Sequence, residues 1–190
     1  MSLDFAGKQI MIDSVSRAVS SDCPKAITDC LRDSLCELVA DKRVQLPDCV
    51  YDWHTDHYAR RLLHQDEEQG FSILAMTWGP GQGTPVHDHD GMWCVEAVWH
   101  GEIEVVQYEL LERQEDHFHL EPRTRMRTGV GSAGSLIPPH EYHTIANPSA
   151  SEPAITIHIY AGEMDECCIF KPEGSDWYHR QPRQLTLDAA

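Results

Sequence analysis

The stretch GQGTPVHDHDGMWCVEAVWHG, running from Gly81 to Gly101, decides how this chain is read. It places two histidines, His87 and His89, one residue apart, follows them with the apolar run Cys94–His100, and closes on a glycine. On a β-strand, residues two apart share a face, so His87 and His89 are predicted to point into one interior. Gly101 suits a tight hairpin turn into the next strand. Further on, Pro138-x4-His143-x3-Asn147 supplies a third imidazole from another strand. His87, His89 and His143 are thus candidate ligands of one metal ion. Three neutral imidazoles without a carboxylate would leave open positions for reactants. His140 is the rival for His143, but its spacing to Asn147 is wrong.

Around this core the pattern is one of short alternating or apolar runs. Arg60–His64, Phe71–Trp78, Cys94–His100, Ile103–Leu111, His117–Leu120, Gly134–Ile137 and Ala154–Tyr160 read as strands, separated by turns rich in Gly, Pro and Asp. Many short strands at regular spacing indicate a barrel or sandwich. Ahead of them, Gln9–Lys42 reads as two helices divided at Pro24, with Ile27, Leu31, Leu35 and Leu38 at helical spacing. These helices are expected to pack on the outside of the barrel. Beyond Gly162 the pattern turns irregular, with room for one more strand before a polar end.

Composition excludes some classes. The formal charge is −16, with 31 acidic against 15 basic residues, so nucleic acid is not an expected partner. No apolar run has the length of a membrane span, and MSLDFAGKQ lacks the features of a signal peptide. The seven cysteines are an odd number, and reduced thiols in a cytoplasmic protein are the expectation. Cys23, Cys30 and Cys36 are too far apart for a compact metal clip and are expected as small core residues. A second HxH, His117-Phe118-His119, is flanked by acidic residues and is expected to be solvated, as are His54 and His57. Oligomeric state has no signature in the pattern.

The two histidine segments follow the spacing of the signature motifs of the cupin family. The resemblance implies a mainly β fold, a double-stranded β-helix or jelly-roll barrel with N-terminal helices. The expected organisation is one domain over 1–190, with a helical flap over about 9–45, a barrel core over about 58–162 and a C-terminal extension over 163–190. Cys94 stands where the common motif has a glutamate ligand, with Glu96 two residues further, and His140 stands where a glycine is usual.

With Cys94 in that position the chain resembles the cysteine dioxygenases of the thiol dioxygenase group, from about Tyr58 to Cys167. Tyr58-Ala59-Arg60 is similar to the family's Tyr-x-Arg segment. Trp78-Gly79-x-Gly81 ahead of His87-Asp88-His89 matches, and Thr156-Ile157-His158-Ile159-Tyr160 resembles its Ser-x-His-x-Tyr strand. The resemblance implies one Fe(II) per chain on His87, His89 and His143, with a small thiol and O2 as reactants and a sulfinic acid as product. It assigns the substrate carboxylate to Arg60, with Tyr58 in the same substrate site. It also places the Tyr160 hydroxyl beside the substrate, hydrogen-bonded through His158. In eukaryotic members a thioether joins that tyrosine to a cysteine, here Cys94. Arg61 is expected on the opposite, surface side of its strand. L-Cysteine is the implied substrate. A dioxygenase for 3-mercaptopropionate or mercaptosuccinate, and a non-catalytic metal- or ligand-binding cupin, are the alternatives.

Overall fold

A computed structural model describes residues 2–189. Two helices lead, α1 (Lys8–Ala18) and α2 (Pro24–Ala40), the second with its proline in the first turn, where the missing N–H costs nothing. Eleven strands follow: β1 (Ala59–Asp66), β2 (Phe71–Trp78), β3 (Val86–His87), β4 (Cys94–His100), β5 (Glu102–Gln114), β6 (His117–Gly129), β7 (Ala133–Leu136), β8 (His143–Ala146), β9 (Ala154–Tyr160), β10 (Glu166–Gly174) and β11 (Trp177–Gln184). Five form a sheet in the order β1-β2-β9-β4-β7. The other six run β10-β11-β6-β5-β8-β3 and close on themselves through β3 and β10. All pairings are antiparallel. The fold is a double-stranded β-helix of the cupin type, mainly β with N-terminal helices, as the motif spacing implies.

The middle strands β2 and β9 are buried along their whole length, so β2 reads as a mainly apolar run, while β9 alternates isoleucines with Thr156, His158 and Tyr160. Ile73 and Ala75 of β2 and Ile155, Ile157 and Ile159 of β9 face outward into one core with Leu31, Leu35 and Leu38 of α2. Leu74, Met76 and Trp78, with Cys94 and Tyr160, face inward into a second core inside the barrel. The helices therefore cover the sheet's outer face, and the period-two alternation delivers Thr156, His158 and Tyr160 to the inside. Gly101 sits at φ 74° in the β4–β5 hairpin, where a Cβ would come within 2.8 Å of the Pro153 carbonyl oxygen. Among the described residues no helix is long and apolar enough to cross a membrane.

Several expectations need correction. The C-terminal extension is part of the barrel: β10 pairs with β3 at Ile169 and His87, and β11 pairs with β6. The strand expected over His117–Leu120 continues to Gly129, through Pro122. Arg61 is not on the surface. It is buried because a short 3-10 turn, Asp48–Tyr51, lies over that side of β1, and its guanidinium donates to the Asp52 carbonyl at 2.9 Å and to Thr77 Oγ1 at 3.3 Å. Cys23, Cys30 and Cys36 are exposed rather than core. Cys23 precedes α2, and Cys30 and Cys36 fall off the helix stripe made by Ile27, Leu31, Leu35 and Leu38.

Candidate metal centre

Strand pairing assembles the three histidines. β3 and β8 are neighbours, and His87 and His143 stand directly opposite each other in their register. His89 follows two residues on, just beyond the end of β3. One ring nitrogen from each of His87, His89 and His143 lies within 4.8 Å of the others, and Nε2 of His87 is 3.1 Å from Nε2 of His143. Nitrogens bound to one ion at about 2.1 Å stand about 3 Å apart, so that spacing fits shared coordination. The Nδ1–H of His87 donates to the Pro85 carbonyl at 3.2 Å, which leaves Nε2 with its lone pair facing the cluster.

Burial keeps these rings uncharged. It lowers His87 to about 4 and holds His89 and His143 well below the usual histidine value. Neutral imidazole is the form that ligates metal, and three of them suit a divalent first-row transition ion. Nδ1 of His89 and Nδ1 of His143 are buried with no hydrogen-bond partner in the protein. A buried polar atom left so calls for another partner.

A polar chain descends from the cluster along the inner face of β9. Trp78 Nε1 donates to Thr156 Oγ1 at 2.8 Å. That hydroxyl meets His158 Nε2 at 2.7 Å, and His158 Nδ1 lies 3.2 Å from the Tyr160 hydroxyl. Cys94 and Tyr160 are direct cross-strand partners, and Cys94 Sγ is 3.9 Å from the same His158 nitrogen. Thiol and phenol thus converge on one imidazole. Burial raises both Cys94 and Tyr160 well above their ordinary values, so both stay protonated at neutral pH.

Glu96 is the acid that the common cupin pattern makes one look for, and it is inside. Its carboxyl oxygens lie 4.0 Å from His143 Nδ1 and 3.6 Å from His158 Nδ1. Burial pushes Glu96 up to about 8 and, with the charge of Arg60, His158 down to about 3. These contacts are therefore between neutral groups at pH 7, not ion pairs. Glu96 sits behind the imidazoles and is not among the clustered ligand atoms.

Above the cluster opens a pocket lined by Tyr58, Arg60, His87, His158, Tyr160, Cys167 and other residues. Tyr58 stacks on Trp78 at 4.5 Å between ring centres. Arg60 is 4% exposed, and its guanidinium donates to the Met164 carbonyl at 2.7 Å and the Thr186 carbonyl at 3.2 Å. Among the described residues no carboxylate pairs with it, although Asp188 accepts from its backbone N–H. Of the residues expected at the site, Tyr58, Arg60, His87, His158 and Tyr160 line this pocket, while His89 and His143 adjoin it through the histidine cluster and Cys94 through its pairing with Tyr160. The pocket also contains Cys167 and Arg183, which the sequence reading passed over because both lie on the unrecognised β10–β11 hairpin.

The other histidines stay apart from the cluster. His140 is exposed. His117 is exposed and meets Glu173 at 2.7 Å, while His119 stacks on Trp177. His54 and His57 stack on each other at 4.6 Å, and both face Asp188 at the surface. Hydrogen bonds to Asp188 and Asp56 hold His57 above its ordinary value, because both carboxylates favour the charged ring.

The sequence model of the family Cysteine dioxygenase type I matches residues 49–173. The chain is 25% identical over 114 residues to cysteine dioxygenase type 1 of Danio rerio, and 23% identical over 113 residues to that of Rattus norvegicus. Both alignments cover 60% of this chain and 55% of the relative, so the chain spans about half the length of the curated relatives it matches. Among solved structures, TT1209 of Thermus thermophilus superposes with a TM-score of 0.48 at 22% identity, over 63% of this chain and 96% of that one. The matched segment takes in β1 through most of β10, hence all three clustered histidines, Arg60, Cys94, His158 and Tyr160. By that match, the chain belongs to the cysteine dioxygenase type I family.

Proposed function

We propose that the protein is an Fe(II)-dependent thiol dioxygenase that converts a small thiol carboxylate, L-cysteine in the first place, to its sulfinic acid. The observation that carries this reading is a buried guanidinium without a carboxylate partner, Arg60, opening on the same pocket as a buried three-histidine cluster. A cation kept from water needs an anion, and the substrate carboxylate is the anion this pocket admits. A non-catalytic cupin has no use for it.

The reaction balances as R–SH + O2 → R–SO2H. Sulfur gives up four electrons, dioxygen takes all four, and no outside reductant is required. Iron on His87, His89 and His143 would supply a centre where thiolate and dioxygen meet. The chain's own residues do the rest. Arg60 orients the carboxylate with a planar fork whose remaining N–H groups are free, its others being fixed by Met164 and Thr186. Tyr58 walls the carboxylate side, braced by Trp78. The Thr156–His158 chain holds the Tyr160 hydroxyl at one position beside the reacting sulfur. Since His158 is neutral and Tyr160 protonated, that hydroxyl is a hydrogen-bond donor there and not a base.

The test is oxygen uptake by iron-loaded protein with L-cysteine, cysteamine and 3-mercaptopropionate, with sulfinate identified by mass. Stoichiometric O2 and sulfinate from a carboxylate-bearing thiol is the expected result. Thiol loss without sulfinate, or none at all, sinks the reading.

The pairing of Cys94 with Tyr160 adds a second expected outcome. During turnover a Cys94 Sγ to Tyr160 Cε bond would form, with the S–H and C–H protons and two electrons passing to one dioxygen to give hydrogen peroxide. After turnover the joined peptides should weigh two hydrogens less than the separate ones. Unlinked peptides after many turnovers would refute this crosslink while leaving the dioxygenase assignment intact.

A further inference from the structure

A second group of ligand-type side chains lies at the surface, outside the buried centre. His54 and His57 precede β1, and Asp188 lies 131 residues past His57, in the tail after β11. Nε2 of His57 is 3.0 Å from Asp188 Oδ1, and Nε2 of His54 is 3.6 Å from the same oxygen. The two rings are nearly parallel, at 11° with centres 4.6 Å apart, so both turn that nitrogen to one side. Among the described residues this is the one group besides His87, His89 and His143 in which three such ligand atoms lie within 4.8 Å of one another. Donors bound to one ion at about 2.1 Å stand about 3 Å apart, so the spacing needs little adjustment.

Each ligand is also held from behind. Asp56 Oδ1 lies 2.8 Å from His57 Nδ1 and turns Nε2 toward Asp188, as a carboxylate behind a metal-bound imidazole does. The His54 carbonyl accepts from Gln82 Nε2 at 2.6 Å, and Gln82 Oε1 accepts from the Gly79 N–H, which ties the segment to the end of β2. Asp188 is fixed to β1 twice. Its Oδ2 accepts from the Arg60 N–H and its own N–H donates to the Arg60 carbonyl, both at 2.8 Å. Oδ1 is left for the imidazoles. The two carboxylates that favour a proton on His57 would favour a cation in its place.

We propose that His54, His57 and Asp188 form a second metal site, for a borderline divalent ion such as zinc, and that the ion pins the tail after β11 to the start of β1. Two neutral imidazoles and one carboxylate are donors that zinc accepts, with water in the remaining position. The site stands whatever reaction the buried centre performs. Partly exposed and short of a fourth protein ligand, it should lose its ion to a chelator wash, whereas the buried centre keeps its iron.

For the test, iron-loaded, chelator-washed protein is dialysed against buffered Zn2+, and zinc and iron are counted per chain by elemental analysis. Native protein should hold one zinc more than the His54→Gln, His57→Gln double variant, with equal iron in the two. Zinc on the exposed thiols of Cys23, Cys30 and Cys36 is common to both and cancels. Equal iron also shows that the variant's barrel is intact. Asp188→Asn, which keeps an oxygen for the Arg60 N–H, should weaken zinc binding about 100-fold. Equal zinc in native protein and double variant overturns the site, as does zinc gained only where iron is lost. Hydrogen exchange reads the clamp. At free zinc about ten times the dissociation constant, the Arg60 and Asp188 amides should exchange about 10-fold more slowly in native protein and at an unchanged rate in the double variant. Bound zinc that leaves those amides as they were overturns the clamp.

Discussion

His143→Ala is expected to strip the protein of its metal and with it of oxygen uptake. His143 is one of three ligands, and the other two cannot close the site. His87 stands opposite it on β3, and His89 lies just beyond that strand's end. Structural zinc sites with four ligands are worth about 10–16 kcal/mol, or about 3 kcal/mol per ligand, so losing one ligand weakens affinity on the order of 100-fold. Here one of only three is lost, and the site that remains is incomplete for chemistry as well as for binding. Metal analysis of the variant should show well under half an ion per chain, where the native protein carries about one. The fold should survive, because β8 is held by β5 along its length and by Ile145 in the inner core, and neither depends on the imidazole. Circular dichroism checks that point. Two neighbouring variants calibrate the result. His140→Ala, three residues away and exposed, and His117→Ala, in the second HxH, should both keep their metal. Full metal content in His143→Ala would remove the three-histidine assignment.

That triad was legible in the sequence because its grammar is local. The closeness of His87 and His89 in the chain brings their imidazoles together even though β3 ends at His87, the flanking glycine marks a turn, and Asn147 fixes the loop after β8. In the fold Asn147 Nδ2 donates to the carbonyls of Trp78, Gly79 and Glu152, locking the loop after β8 to the end of β2. The inner face of β9 was legible for the same reason. What local grammar could not supply was the last hairpin. Pro172 and Pro182 interrupt β10 and β11, and proline within a run argues against a strand. Gly174, Ser175 and Asp176 turn the chain between them with positive φ, a hairpin signal that the two prolines outweighed. Missing that hairpin meant missing Arg183 and Cys167. Arg61 failed differently. Alternation gave its side of β1 correctly, but which side meets solvent depends on the Asp48–Tyr51 turn that covers it, a contact no strand pattern records.

Arg60→Ala should slow oxygenation of L-cysteine by about 10- to 100-fold in kcat/KM, the equivalent of the 1.5–3 kcal/mol lost with a charge-assisted contact. The guanidinium is buried, so solvent screening discounts this little. Two of its N–H groups are spoken for by the carbonyls of Met164 and Thr186, and those same bonds complicate the variant. Removing the side chain also releases the segment after β9 and the tail after β11, and a loosened wall would slow any substrate. Cysteamine separates the two effects, because it has the thiol and amine of cysteine but no carboxylate. If Arg60 acts on the carboxylate, cysteamine turnover should change little while cysteine turnover falls, and the preference for cysteine should nearly vanish. If Arg60 is only a strut, both should fall together. Arg60→Lys sharpens the distinction. It keeps a positive charge for the carboxylate but cannot span two carbonyls and a carboxylate with one planar group, so cysteine should recover in part. Equal losses for cysteine and cysteamine in Arg60→Ala, with no recovery of the ratio in Arg60→Lys, would make Arg60 a structural residue. The anion-binding argument for this pocket would go with it.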